Sequence, residues 1–301
     1  MNLISVGRKD FLQDKTLFNV LWFVTKKCNY KCVYCGLKKD EAYIDFSSCE
    51  KIIQFINNLT DSGKKVIVDL GGGEILFHPE IVKIVNSLKV FKIRIKTNCS
   101  HGLDMFDYFL NSTKPEINIQ AEYHYSFIWP EEYIEKVKFI ASRIHFVLAK
   151  IFWDVRNKDY SLDVYNKTKK LENEFSNVKV YLDMPQHPFF LWEKEDYEFI
   201  KTLEQGKDFV ITYEEDNQIK EIETSYPEAF QICKGKLENF SCNKNSCLID
   251  SNGDIFNCVE LFYKGKLLFN IFDNQPKNFY YERTCDFSNM CNNLVIPKRR
   301  R

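Results

Sequence analysis

The sequence lacks an excess of charge of either sign. Its 42 lysines and arginines are matched by 42 aspartates and glutamates, so no global field marks a nucleic acid or an anionic membrane surface as a partner. Long hydrophobic runs are missing too. No apolar stretch reaches the ~18 residues of a membrane span, and residues 1–15 are charged and polar, without the apolar core of a signal peptide. There is no internal repeat and no low-complexity segment, and the basic tail 297–301 is short enough to read as a solvated terminus. With 11 cysteines and no secretion signal, the expectation is a reducing cytoplasm, where cysteines are metal ligands before they are disulfides. What remains is a chain of 301 residues, 45% hydrophobic, enough for one large domain with a small appendage or for two modest domains.

Cysteine, by contrast, is plentiful at 11 residues. Three of them, Cys28, Cys32 and Cys35, sit on one short loop directly after an apolar β-like run over 18–25. Thiolates are the usual ligands of iron–sulfur clusters, and a cubane takes four. A local supply of three leaves one iron open to bind a substrate or cosubstrate, which points to an enzyme. Zinc is the other metal reading, although structural zinc prefers a closed set of four ligands, commonly in CxxC pairs.

Strand-like runs over 18–25, 66–70, 93–97, 117–121, 145–150 and 178–182 alternate with helical runs over 49–59, 79–88, 104–111, 130–142 and 160–175. In the fourth helix Tyr133, Val137 and Ile140 recur at helical spacing, and Pro130 suits a first turn. Six strands with helical crossovers imply a parallel sheet. A closed eight-stranded barrel needs ~250 residues, so the expected fold is α/β: a partial (β/α)6 TIM-like barrel with a small cysteine-rich C-terminal extension. Loops at the C-terminal strand ends carry the chemistry of such sheets. At those ends lie the cysteine loop, then Gly71-Gly72-Gly73-Glu74, then Thr97-Asn98-Cys99, then Glu122-Tyr123-His124, and more weakly Lys150.

The cysteine loop and the glycine–glutamate loop one strand later resemble the radical SAM superfamily, whose signature is CxxxCx-aromatic-C after the first barrel strand. The resemblance implies a 4Fe–4S cluster on Cys28, Cys32 and Cys35. Its open iron would bind S-adenosylmethionine, and reductive cleavage would give a 5′-deoxyadenosyl radical that abstracts a hydrogen atom. It further implies that Gly72, Gly73 and Glu74 contact the methionyl amino group and that Tyr34 lies near the adenine. Thr97 and Asn98 would line the cofactor pocket, with Glu122 at the ribose or substrate. Ile75 stands where the family often has proline. Cys99 and His124 are the candidate catalytic side chains; the alternatives are a small buried hydrophobe for Cys99 and a structural histidine for His124.

Six cysteines follow residue 230: Cys233, Cys242, Cys247, Cys258, Cys285 and Cys291. Asn252-Gly253 is a hairpin signal that would bring Cys247 and Cys258 together, and Cys285 and Cys291 can complete four ligands. With Gly253 and Cys258 at Gly-x4-Cys spacing, the region resembles SPASM and twitch extensions, which implies one auxiliary 4Fe–4S cluster; four-cysteine zinc stays open beside it. Cys233 and Cys242 are left over, either one able to replace a ligand or act as a hydrogen donor, and Cys49 receives no role. The expected divisions are a barrel at 1–190, a bridge at 191–232 and an auxiliary-cluster region at 233–301.

Such an enzyme would act on an unactivated C–H bond, by oxidation or epimerisation, with flavodoxin or ferredoxin as electron donor. Peptide maturases often carry an N-terminal leader-binding domain, and the segment before Phe18 is short. The expected substrate is therefore a carbohydrate-like small molecule, with a peptide or protein as the alternative. A non-catalytic iron–sulfur electron carrier is the second alternative.

Overall fold

The computed structural model describes residues 2–14, 16–38, 43–114, 116–183, 194–203, 209–216, 218–224, 229, 240–241, 245–256, 262, 265, 267–273 and 298–299. The chain opens with β1 (Asn2–Arg8) and α1 (Lys9–Gln13). An alternating series follows: β2 (Leu17–Thr25), α2 (Phe46–Asp61), β3 (Lys65–Gly72), α3 (Ile81–Ser87), β4 (Lys92–Thr97), α4 (Leu103–Ser112) and β5 (Ile117–Tyr123). It continues with α5 (Pro130–Ala141), β6 (Val147–Phe152), α6 (Lys158–Lys169), α7 (Leu171–Glu174) and β7 (Val178–Asp183). Then come α8 (Lys194–Thr202), β8 (Phe209–Glu215) and β9 (Gln218–Thr224). No helix among the described residues is long and apolar enough to cross a membrane.

By internal contacts the chain forms two compact units, one of residues 20–191 with 249–254, the other of 1–19, 192–248 and 255–301. In the first, strands β2 to β7 stand in sequence order, and the pairs from β3 through β7 are parallel. This is the partial, TIM-like α/β barrel. In the second, β1 pairs antiparallel with β8, and β8 with β9. The stretch read as a bridge thus carries a helix and two strands of its own. The β8–β9 turn is made at Asp216, in the left-handed region at φ 53°, a conformation Asp tolerates better than most residues.

Helix α2 shows why the crossovers form. Asp45 caps it, accepting from the Ser48 N–H at 2.8 Å, and Cys49, Ile52, Ile53, Ile56 and Leu59 recur on its buried face. Cys49 is therefore a core residue. The sheet alternates with the same economy. Along β5, Ile117, Ile119, Ala121 and Tyr123 are buried, while Asn118, Gln120 and Glu122 are half-buried on the opposite side. Several boundaries shift by one to three residues, as where α2 starts at Phe46 rather than 49. The fifth barrel strand begins at Val147, its first buried residue, and runs on to Phe152. The run over 160–175 divides at Lys170, which caps α6.

Tyr133, fully buried, ties α5 to the sheet by donating to the Ala121 carbonyl at 2.9 Å. Tyr133→Phe keeps the ring and its edge-to-face contact with Tyr123. The variant should lose about 1 kcal/mol, read as a lower urea midpoint at unchanged slope.

Candidate active site

Three strand ends meet at the cysteine loop. Residues 26–35 leave the C-terminal end of β2, and Cys28 and Cys32 are half-buried while Cys35 is exposed. The next strand closes on this loop through backbone. The Gly73 N–H donates to the Thr25 carbonyl at 2.7 Å and the Glu74 N–H to the Lys27 carbonyl at 2.9 Å. So close an approach requires glycine. A Cβ on Gly73 would lie 1.9 Å from the Lys27 oxygen, and one on Gly72, at φ +116°, would lie 2.3 Å from the Thr25 oxygen.

Glu74 is fully buried and accepts from the Asn98 N–H at 2.7 Å, the Leu76 N–H at 3.1 Å and the Thr97 hydroxyl at 3.0 and 3.1 Å. Burial pushes its carboxyl up to about 7, while the Asn98, Leu76 and Thr97 donors pull the other way. Asn98 also reaches the cysteine loop, its amide standing 3.7 Å from the Cys28 sulfur and 3.1 Å from Asn29 Oδ1. On the other side of the loop, His124 Nδ1 is 3.5 Å from the Cys32 sulfur and 2.7 Å from the Tyr34 hydroxyl. Tyr34 is enclosed by His124, Tyr125 and Phe152, and burial holds its phenol well above its ordinary value.

Of the residues picked from the sequence, the structure gathers Cys28, Cys32, Tyr34, Gly72, Gly73, Glu74, Thr97, Asn98 and His124 around one loop. Cys35 shares the loop, its N–H donating to the Cys32 carbonyl at 3.1 Å. Cys99 is fully buried at φ 56°, its carbonyl accepting from the Lys136 ammonium at 2.8 Å. Glu122 faces a different set. Gln120 donates to it at 2.6 Å, and Lys150 and His124 stand at 4.0 and 3.9 Å. Burial works to raise this carboxyl, but Lys150, His124 and Lys96 prevail and hold it low. Sequence reasoning missed Asn29, Lys136, Asp183 and Tyr30, whose ring stacks on Phe127 at 4.5 Å; none of them has a spacing that would single it out.

The donor set fits an iron–sulfur cluster with an open iron. Three thiols share one loop, two of them with polar side chains at hydrogen-bonding range of sulfur, and a cubane takes thiolate ligands. Among the described residues no three His, Cys, Asp or Glu side chains converge to hold a single metal ion.

In the C-terminal region, the predicted hairpin turn is present. Strands Ser246–Ile249 and Asp254–Phe256 flank a turn with Gly253 at φ 74°. Asp250 accepts from the N–H groups of Asn252 and Asp254 and pairs with Lys26 at 3.0 Å. Cys247 is buried, which pushes its thiol up. Cys233, Cys242, Cys258, Cys285 and Cys291 lie outside the described residues.

Residues 22–145 match the family model described as the radical SAM superfamily. Comparison with curated proteins finds no match. Among solved structures, Streptococcus suis SuiB bound to S-adenosylmethionine is similar at 15% identity and a TM-score of 0.45, covering 86% of this chain and 64% of that one. The SuiB complex with its precursor peptide SuiA is similar at 15% identity and a TM-score of 0.44, covering 86% and 63%. The chain thus spans less than two thirds of the length of the SuiB chains it matches.

Gly73→Ala should cost at least about 2 kcal/mol, because the new methyl meets backbone that cannot yield. It should also lower iron retained after anaerobic reconstitution. Gly71→Ala is the control, since its Cβ would meet only the flexible Lys96 side chain at 3.3 Å. Urea unfolding and iron analysis of both variants check this. Equal behaviour of the two would separate the glycines from the loop.

Proposed function

We propose, for a chain whose residues 22–145 belong to the radical SAM superfamily, that it cleaves S-adenosylmethionine reductively and uses the radical to take a hydrogen atom from an unactivated C–H bond. The observation that carries this reading is the Cys28–Cys32–Cys35 loop, held between Asn98 and His124 and braced by the Gly72–Gly73–Glu74 backbone. When bound, a 4Fe–4S cluster with one open iron supplies the electron for that cleavage.

The chain's own residues then have distinct tasks. Cys28, Cys32 and Cys35 ligate the cluster. Glu74, fixed by Thr97 and Asn98, offers carboxylate oxygen to the methionyl ammonium, and Gly72 and Gly73 let backbone come close to it. Tyr34 provides an aromatic face for the adenine and Glu122 an acceptor for the ribose. His124 is a positioning residue that holds Cys32 and Tyr34, and Cys99 sets the backbone bend after Asn98. Cys247, Cys258, Cys285 and Cys291 are proposed to ligate an auxiliary 4Fe–4S cluster in a region at 233–301, after the barrel at 1–190 and the connecting segment at 191–232. A flavodoxin or ferredoxin would supply electrons in the reducing cytoplasm, where such thiols persist. The first substrate reading is a carbohydrate-like small molecule, oxidised or epimerised. The second is a peptide, the class of ligand with which SuiB has been solved.

Replacing Cys28, Cys32 and Cys35 together by alanine should abolish 5′-deoxyadenosine formation and remove about four irons per chain, leaving the auxiliary iron in place. Parent-rate cleavage by the triple variant would overturn the assignment. Stoichiometric zinc in the purified parent, with only the loop's iron, would make the second site a zinc site.

The Glu74 carboxyl gives a second test. Its value near 7 means that it must lose its proton to pair with an ammonium. Affinity for S-adenosylmethionine should therefore fall as pH drops below about 7, by up to tenfold per unit. Folding stability carries the opposite sign. The folded state holds this proton more tightly than the unfolded chain, so Glu74's contribution weakens as pH rises from the ordinary 4.5 through 7. Anaerobic calorimetry and melting curves across pH 5 to 8 check both slopes, and a flat binding profile would remove Glu74 from the ammonium.

A further inference from the structure

Barrels lined for stability alone fill their inner layers with branched apolar side chains. The inner face of β5, β6 and β7 is built otherwise. Register places Glu122, Lys150 and Tyr181 side by side in one layer, and Phe152 beside Asp183 in the next. Lys150 Nζ lies 2.5 Å from Asp183 and 4.0 Å from Glu122, and all three charged side chains are about one-fifth exposed. Burial would lower the Lys150 ammonium, but Asp183 and Glu122 outweigh it and keep the charge in place. These are largely buried charges, paired with one another on the half-buried face of the sheet at the C-terminal strand ends. In the order β2 to β7 they lie beyond the cysteine loop and Glu74, on the far side of the sheet.

We propose that Lys150 and Asp183, with the rings of Phe152 and Tyr181, form the substrate subsite, and that it takes a neutral, hydroxyl-rich ring such as a glycoside. This rests on the reading of the chain as a radical enzyme with its cofactor over β2 to β5. The charges decide the class. Two carboxylates, Glu122 and Asp183, are balanced by Lys150 and by Lys96, whose field also reaches Glu122, while His124 at 3.9 Å from Glu122 adds a positive charge only when protonated. A net anion would meet both carboxylates and a net cation both lysines, so neither gains. Hydrogen-bonding capacity is what the layer offers. An ammonium has three N–H donors and a carboxylate about four acceptor sites, and vicinal hydroxyls use both. The Phe152 ring, 5.2 Å from Lys150 Nζ, presents an aromatic face beside those groups, suited to the C–H face of a saturated ring.

The test is the melting temperature of the anaerobically reconstituted protein with S-adenosylmethionine, since a ligand bound only to the folded state raises it. The probes are neutral methyl glycosides, uronic acids, amino sugars and random dodecapeptides. At least one neutral glycoside should raise the melting temperature above the effect of any charged sugar or peptide. Lys150→Met and Asp183→Asn should each weaken its apparent affinity about tenfold. The double variant K150M/D183N removes both charges together and should show the same loss with a cooperative melt, which separates contact from folding. A stronger response to uronate, amino sugar or peptide overturns the proposal. So does a flat response to every neutral glycoside, or a glycoside response that both substitutions leave intact. 5′-Deoxyadenosine formation, followed in parallel without any probe, reports on the radical reading by itself, so the two can fail separately.

Discussion

The site depends on one contact between two pieces of backbone. Where β3 ends, Gly72 and Gly73 press against residues 25–27, and the N–H groups of Gly73 and Glu74 bond to the carbonyls of Thr25 and Lys27. No side chain fits in that space. The contact fixes the departure of the loop that carries Cys28, Cys32 and Cys35, and it delivers Glu74 into the interior beside it. Glycine here serves the chain's own packing first. Any ligand that uses the same backbone inherits a surface already set.

From Glu74 the order spreads by hydrogen bonds. Its two oxygens collect donors from β4's end and from the short 3₁₀ turn Ile75–Phe77, and Asn98 carries the connection back to Cys28 and Asn29. The bend that lets Asn98 do this passes through Cys99 in the left-handed region, a conformation uncommon outside glycine. Lys136 holds it from behind by bonding to the Cys99 carbonyl, with Glu132 one helical turn away at 2.6 Å. Helix α5 thus holds, through the Cys99 carbonyl, the bend from which Asn98 reaches the cysteine loop.

Much of this was legible in the sequence because it repeats. The six strand runs and the cysteine spacing each carry a period or a pattern, and all six strands stand where they were read, with β6 displaced by two residues. The missed parts have no period. Asp183 ends the last barrel strand one residue beyond the run read as 178–182, and only its register opposite Phe152 brings it to Lys150. The β8–β9 hairpin turns at Asp216 rather than at a glycine, so its turn chemistry resembles an ordinary polar loop. Tyr30 and Lys136 act across the fold through contacts no linear motif predicts. The C-terminal hairpin turn was readable from Asn252-Gly253 because only one of those residues needs a positive φ, and Gly253 has it.

Two of the carboxylates at this sheet end are in opposite condition. Glu122 lies among Lys150, His124 and Lys96, and those groups overcome burial and keep it ionised. Glu74, one strand beyond its neighbour β4, is surrounded by neutral donors alone, and burial raises it to about 7. Neutral hydrogen bonds orient a carboxylate but return less of the lost hydration than a cation does. Glu74 is therefore a carboxyl whose described hydrogen bonds come from neutral donors and which burial favours in its protonated form. A cation arriving at its oxygens would do there what Lys150 does for Glu122, drawing the proton off and holding the carboxylate charged. Two acids at one sheet end thus differ in their partners, cations for Glu122 and neutral donors for Glu74.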